Sequence, residues 1–464
     1  MSTIAETRAG RPPARRILMD RIVNTATPIF VSSAISVLSV LINIGTVASR
    51  DREALYLLGL FLPIYYVLIA IQEGLRIPVL RYSAMARAES EALTELGRRL
   101  GFVILCMAVS VTAIASAYAA GFDTFATLFH VPGLRRTEAL LFSLGMVGAS
   151  ALIGCSTILL SALFGLGRSR LAGMLGIGAT LINLATAYAC AVWLNQGLYS
   201  LVWAALAGSS VLATAALIVL ARLGVMPSLT GNWTRLRTRL GEIAALSLPV
   251  TVSFIVLFCF LFAFNYLVSF YGESEVSGFG IAFRLQSFVI LPAIALGTSM
   301  AIHINSALAD REFGLARRYF LNGLALSTLI YALIAAAVFL LQDPFLSLFT
   351  QEPAALAAGR RYLTIVGPSY VCMGPVLALL TLYEQTGSGV RALTVNVIGF
   401  SLEVGLASWF GLGQPDTTLL YLAVAAGNGL GLLYLLYEVA KRLMRRPLAR
   451  AAVRSDPIDQ ATAP

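Results

Sequence analysis

Glu73, Arg76, Arg284 and Glu403 each interrupt a long apolar run. At the centre of a membrane-spanning helix such a charge costs about 2.5–3.5 kcal/mol, so it needs a partner, water or a function. Glu73 lies in IAIQEGLRIP, with Gln72 before it and Arg76 three residues on. That spacing allows an intrahelical ion pair with Arg76 reaching toward water, or a proton-binding carboxylate. Arg284 falls roughly nine residues into its run, about 13 Å along a helix, and Gln286 follows it. It is either an anchor on backbone carbonyls or a contact for a bound solute or for Glu73. Glu403 sits among small residues in SLEVGLAS. With Gln385 and Asn396 it would build a second polar site; the other reading is a helix–helix hydrogen bond. Asn43, Asn183 and Asn265 are neutral, and read as interhelical bonds worth about 0.6 kcal/mol each. His303, Asn305 and Glu438 lie near the ends of their runs and read as solvated or snorkelled.

Other chemistries find little support. There are two histidines, His130 and His303, far apart in the chain, and the five cysteines show no CxxC spacing. Enzyme, metal site and disulfide frameworks are therefore not expected, and no cofactor is called for.

The elements that must position these residues are long apolar helices. The chain has 464 residues, 58% hydrophobic and 12% charged, with a mean hydropathy of +0.83. That composition places it among polytopic helical membrane proteins. The net charge of +10 resides in short loops and tails, so it implies no nucleic-acid partner. Spans of roughly 20 apolar residues give about twelve helices, near 22–47, 54–82, 99–121, 138–164, 170–193, 198–222, 242–270, 276–306, 319–341, 357–385, 391–411 and 417–440.

Arginines crowd alternate loops, which predicts both termini on the cytoplasmic side; Arg50/Arg52, Arg135/Arg136 and Arg360/Arg361 break the pattern. Pro28 and Pro249 each open an apolar run that leads through a charged turn to a second proline-bearing run and a basic stretch. A repeat of this kind half a chain apart marks the two halves of a transporter. The organisation predicted is a cytoplasmic tail 1–20, a lobe 21–222, a cytoplasmic linker 223–240, a second lobe 241–443 and a disordered cytoplasmic tail 444–464. Gly165, Gly167, Gly387 and Gly389 are expected in tight turns between spans.

The stretches FGIAFRLQSFVILP (Phe279–Pro292), SALADREFGLARR, LYEQTGSGVRALTVNV (Leu382–Val397) and SALFGLGRSRLAGMLGIGATLINL (Ser161–Leu184), with Pro28, carry a resemblance. In their order and spacing they resemble the multidrug and toxic compound extrusion (MATE) family, DinF-type branch, in the superfamily that also holds lipid-linked oligosaccharide flippases. The resemblance covers about residues 20–440. It implies an all-α membrane protein with two pseudo-symmetric six-helix lobes around a central cleft. It implies export of bulky organic solutes in exchange for H⁺ or Na⁺, by a monomer in the bacterial cytoplasmic membrane.

Many family members couple through a span-one aspartate and a span-five Asn-x-x-x-Asp. Asn43, Asn183 and Ala187 stand at those positions here, so no carboxylate remains there. H⁺ coupling is then expected through Glu73 first and Glu403 second, with Glu73 and Arg284 facing the central cleft. A flippase for an amphipathic glycan is the alternative.

Overall fold

The computed structural model describes residues 15–49, 54–86, 92–128, 131, 136–229 and 236–444. The charged turn 50–53, Arg87, His130, Arg135 and both expected tails, apart from residues 15–20 and 444, lie outside the described residues.

All regular structure among the described residues is helical. The elements are α1 (Arg15–Ala48), α2 (Ala54–Ala86), α3 (Ala92–Leu128), α4 (Arg136–Gly165), α5 (Ser169–Tyr188), α6 (Tyr199–Arg222), α7 (Leu236–Ser269), α8 (Glu273–Ala309), α9 (Phe313–Ser347), α10 (Pro353–Val366), α11 (Tyr370–Gln385), α12 (Gly389–Leu406) and α13 (Thr418–Met444). Twelve spans are long and apolar enough to cross a membrane, α10 and α11 together forming the tenth. The chain is a multi-pass membrane protein. Helices satisfy every backbone group internally, which is what a hydrocarbon environment demands. Several helices run past their apolar stretch: α1 starts at Arg15 and α7 at Leu236, so the segment expected as linker to residue 240 ends inside a helix.

Neither Pro28 nor Pro249 opens a helix. α1 and α7 are both 34 residues long and carry their proline inside, roughly three and a half turns from the start. A proline there removes an i→i−4 hydrogen bond and kinks the helix. Each kink meets a glycine. A Cβ on Gly173 would come within 2.8 Å of Pro28, and one on Gly389 within 3.3 Å of Pro249.

Two further features recur in both halves. Spans five and eleven end in π-helical turns, Ala189–Trp193 and Ala407–Gly411. The turns before them hold Gly167 at φ 75° and Gly387 at φ 85°, conformations that glycine adopts without strain. Gly165 and Gly389 are not turn residues. Gly165 ends α4, where a Cβ would press on Ser83 and on the Leu80 carbonyl, and Gly389 begins α12.

The chain divides into two compact units. The N-terminal unit comprises Thr25–Ala263 and Tyr383–Phe400; the C-terminal unit comprises Met1–Asn24, Phe264–Leu382 and Ser401–Pro464. In the first, α4 packs against α2, α3, α5 and α6. In the second, α10 packs against α8, α9 and α13. Neither unit is continuous in sequence, because α1, α7, α11 and α12 each pass from one to the other.

Those of the arginines breaking the charge alternation that fall among the described residues are paired or bonded. Arg361 meets Glu275 at 2.6 Å and Thr417 at 3.2 Å, Arg360 meets Asp343 at 2.7 Å, and Arg136 donates to the Val131 carbonyl at 3.4 Å.

Candidate functional site

Within the N-terminal unit, α1 and α5 face each other through a ladder of neutral groups. Ser36 and Thr180 hydroxyls lie 3.0 Å apart, Ser39 donates to Asn183 at 3.5 Å, and Asn43 donates to the same Asn183 oxygen at 2.8 Å. Ala187 is buried one turn further on. This is interhelical glue of the kind expected, and it holds no ionisable group.

The charged groups of this unit gather on α2. Arg76 Nε lies 2.6 Å from Glu73, both side chains being about three-quarters buried. Glu73 therefore has its guanidinium partner one turn away, the pairing that the i,i+3 spacing allows. Gln72 donates to the Ser150 carbonyl of α4 at 3.1 Å and so holds two helices together. Gly74 lets α2 close on α7: a Cβ there would run into the Thr251 hydroxyl and the Ser247 carbonyl.

The α11–α12 turn packs onto the same end of α2. The Arg81 guanidinium lies over Gly387, where a side chain would collide with it. Glu384, in the last turn of α11, is close enough to Glu73 and Arg76 to feel both charges. Gln385 beside it is 1% exposed. Asn396 donates to Ser253 of α7, so it does not join Glu403. Gln385 and Asn396 fall in the N-terminal unit and Glu403 in the C-terminal one. α12 is long enough for its two ends to take part in different packing groups.

In the C-terminal unit the Glu403 side chain is buried, with the residue 8% exposed. Its carboxyl lies over Gly427 of α13, where a Cβ would strike it. It makes no hydrogen bond or ion pair with the described residues, and its charge is felt at the Tyr362 hydroxyl. Tyr362 in turn donates to Gln286 of α8, and Tyr370 approaches the same oxygen at 3.5 Å. Phe279, Tyr362 and Tyr421 stack around this point, with Tyr362 and Tyr421 centroids 5.0 Å apart. A bare carboxyl in an apolar span, walled by aromatic rings, is suited to taking up a proton. Arg284, two residues before Gln286, is exposed and bonds to none of the described residues.

Three residues read as solvated are not. His303 stacks on Tyr319 at 4.9 Å and contacts the Arg21 carbonyl at 3.3 Å; Ser299 donates to the Ile22 carbonyl at 2.8 Å. Asn305 is 3% exposed. The first turns of α1 dock on α8 and cover them, which span hydropathy does not register. Glu438 is 4% exposed, with Lys441 at 3.8 Å.

Sequence reasoning missed Glu384, Tyr331, Tyr362 and Tyr370. The signal for Glu384 lay in the repeat. Setting Gly167 on Gly387 places Phe164 against Glu384, a carboxylate where the first half has a ring. Tyr331 of α9 places its hydroxyl between the Val289 carbonyl, to which it donates at 2.5 Å, and the Ala293 N–H, from which it accepts at 3.0 Å. It thus spans the rung of α8 beside Pro292.

Comparison with known proteins agrees with this architecture. The family profile described as MatE matches residues 249–409. Two relatives come from Bacillus subtilis (strain 168). The probable multidrug resistance protein YoeA is 22% identical over 163 residues, 35% of this chain and 35% of the relative. The probable multidrug resistance protein YpnP is 25% identical over 163 residues, 34% of this chain and 36% of the relative. The matched stretch spans about a third of the length of these curated relatives. Among solved structures, the Vibrio cholerae MATE transporter VcmN in its bent form superposes with a TM-score of 0.82 at 18% identity, over 92% of this chain and 98% of that one. A MOP-superfamily transporter from Pyrococcus furiosus, described as having a binding pocket of reversed polarity, gives 0.81 at 17% identity over 92% and 97%. The chain has the fold of these transporters, and its resemblance to the MATE family stands.

Proposed function

We propose that this chain, with its MATE-type fold, is a secondary transporter that exports bulky organic solutes in exchange for protons, working as a monomer in the bacterial cytoplasmic membrane with both termini inside. The observation that carries the reading is Glu403: a carboxyl 8% exposed in an apolar span, without an ion pair or hydrogen bond to the described residues. An antiporter needs a group whose ion binding differs between two conformations. A buried, unpaired carboxyl beside the Gln286–Tyr362–Tyr370 cluster is suited to that role, and the Asn43–Asn183 ladder is not. A buried carboxylate with no other ligand beside it binds H⁺ in preference to Na⁺, because its two oxygens alone offer too few ligands for a metal cation.

Purified protein in proteoliposomes loaded with a lipophilic cationic dye tests this. Dye efflux is expected under an imposed pH gradient and not under an imposed Na⁺ gradient of equal size. Efflux driven by Na⁺ alone reverses the choice of ion, and efflux under neither gradient removes the antiport reading.

The flippase reading keeps one observation, the exposed Arg284 without a partner among the described residues, which suits an anionic headgroup. Arg76 does not add to it, since Glu73 neutralises that guanidinium. Movement of a pyrophosphate-linked lipid between leaflets, lost in Arg284→Gln, is the result that favours it.

A further inference from the structure

One face of α8 is committed to packing, and the other carries a charge. A Cβ on Gly278 would strike the Ala355 carbonyl and the Gly359 amide of α10. Gln286 accepts from Tyr362, and the Val289 carbonyl and Ala293 N–H share the Tyr331 hydroxyl. Ala282, on the same face, is fully buried. Two residues are about 200° of helical turn, so Arg284 points away from Ala282 and Gln286. It is exposed and bonds to none of the described residues. Ser277 and Gly280 precede it on the same stripe by two turns and by one. Ser277 is exposed, and a Cβ on Gly280 would meet nothing within 4 Å. Phe288, one turn beyond Arg284, is half-buried. All of these residues belong to one compact unit.

Depth decides what such a face can meet. The Glu275–Arg361 ion pair marks the polar end of α8. Arg284 lies roughly nine residues further on, about 13 Å along the axis. The unpacked face of a spanning helix meets hydrocarbon or water. A guanidinium is costly in hydrocarbon, and this one lies away from the helix ends where arginines snorkel. Water therefore reaches this stripe.

The stripe is also selective. A guanidinium is planar and permanently charged, and presents paired N–H donors to a carboxylate, sulfonate or phosphate. It repels a cation. Gly280 leaves room for an apolar body, and Phe288 offers it ring surface. The headgroup of a bilayer lipid stays at the interface, short of this depth.

We propose that Arg284 binds the anionic group of an amphipathic organic solute along the Ser277–Gly280–Arg284–Phe288 stripe, and so sets the charge preference of the transporter. Binding forms a salt bridge, with no covalent bond made or broken. Export of the bound anion rests on the antiport reading above; the binding site does not.

Two dyes that share a ring system and differ in charge test this: anionic fluorescein and a cationic rhodamine ester. Fluorescence anisotropy reads their binding to the purified full chain in phosphatidylcholine nanodiscs. The parent is expected to bind fluorescein more tightly than the rhodamine. Arg284→Gln should weaken fluorescein about tenfold, as loss of one charge-assisted contact implies, and leave the rhodamine unchanged or tighter. Arg284→Lys keeps the charge and should keep the preference. No binding of fluorescein by the parent, equal binding by parent and Arg284→Gln, or equal loss of both dyes overturns the proposal. Gly280→Leu fills the open space and spares the guanidinium. It too should weaken fluorescein, and unchanged binding takes the anion off this stripe. If Arg284→Gln does not fold, Gly280→Leu and Arg284→Lys decide. Parent and Arg284→Gln are then compared in phosphatidylglycerol nanodiscs. Their difference in fluorescein affinity is expected to persist; its collapse means that a lipid headgroup holds the guanidinium, and overturns the assignment to a solute. Efflux from proteoliposomes under a pH gradient tests export. Arg284→Gln is expected to lower the ratio of fluorescein to rhodamine efflux about tenfold, and an unchanged ratio overturns the role in charge preference. A parent that exports neither dye defeats the antiport reading while the binding result stands.

Discussion

Spans four and five, and their counterparts ten and eleven, share a plan and differ in chemistry. Both pairs turn on a glycine of positive φ, Gly167 and Gly387, and both end in a π-helical turn. Away from its charged ends the first pair is electrically silent. α4 runs unbroken for 30 residues, Phe164 precedes its turn, and α5 meets α1 only through hydroxyls and amides. The second pair is broken and charged. A 3₁₀ turn at Gly367–Ser369 splits span ten, tied to α13 by Asn428 donating to Ser369 at 2.8 Å, and Glu384 and Glu403 lie on the two helices that follow. A repeat thus conserves backbone geometry, which packing requires of both halves, while leaving ionisable groups to one half.

If that contrast is functional, the two halves respond unequally to loss of a polar group. The largest effect is expected from Glu403→Gln. It keeps the shape and removes the titrating group, and proton-driven efflux should fall by about 5- to 150-fold, the usual range for a coupling free energy. Asn183→Ala, the matching change in the first half, should leave proton-driven efflux within about twofold and lower stability by about 0.6 kcal/mol. Equal losses in the two variants, measured under one pH gradient, would erase the contrast.

The kinked helices sharpen it in a second way. The kinks at Pro28 and Pro249 are met by glycines, whereas the one at Pro292 is held by the Tyr331 hydroxyl between Val289 and Ala293. Tyr331→Phe leaves a buried carbonyl and a buried N–H without that hydroxyl, at about 1–3 kcal/mol. The thermal midpoint in detergent should drop accordingly, and an unchanged midpoint would show that α8 closes its own rung.

The smallest effect concerns the loop after the second π-turn. Asp416 accepts from the Thr418 N–H at 2.9 Å, which holds its carboxyl below the usual aspartate range. The group is partly exposed, so Asp416→Ala is expected to cost only about 0.5 kcal/mol. A lowered pKa in the folded state means that this contribution is present above the unfolded-state value and is lost as pH falls through the folded one. Parent and variant should therefore differ at neutral pH and converge in acid; a gap that persists in acid would assign the effect to packing.

Much of the fold is legible along the chain. Twelve apolar runs of spanning length become twelve spans, because in hydrocarbon a run of that length has helix as its only way to pair its own backbone. The repeat was legible too, since prolines and charged turns recur at matching places, although the prolines proved to lie inside their helices rather than at their starts. The Glu73–Arg76 pair could be read from spacing alone, for residues one turn apart on a helix meet whatever surrounds them.

What the sequence by itself could not determine is which side chains distant along the chain come together. Gly387 stands more than 300 residues from Arg81, and only the packing of the α11–α12 turn on α2 brings the guanidinium over the glycine. His303 was read as solvated because hydropathy averages over a window and cannot show that the first turns of α1 lie across α8. Glu403, Gln385 and Asn396 looked like one site because they share a short stretch of sequence, yet Asn396 bonds to Ser253 of α7, 143 residues away in the chain. Local spacing decides contacts within a helix; contacts between helices depend on where small residues let two backbones close, and here Gly74, Gly387 and Gly427 made that decision.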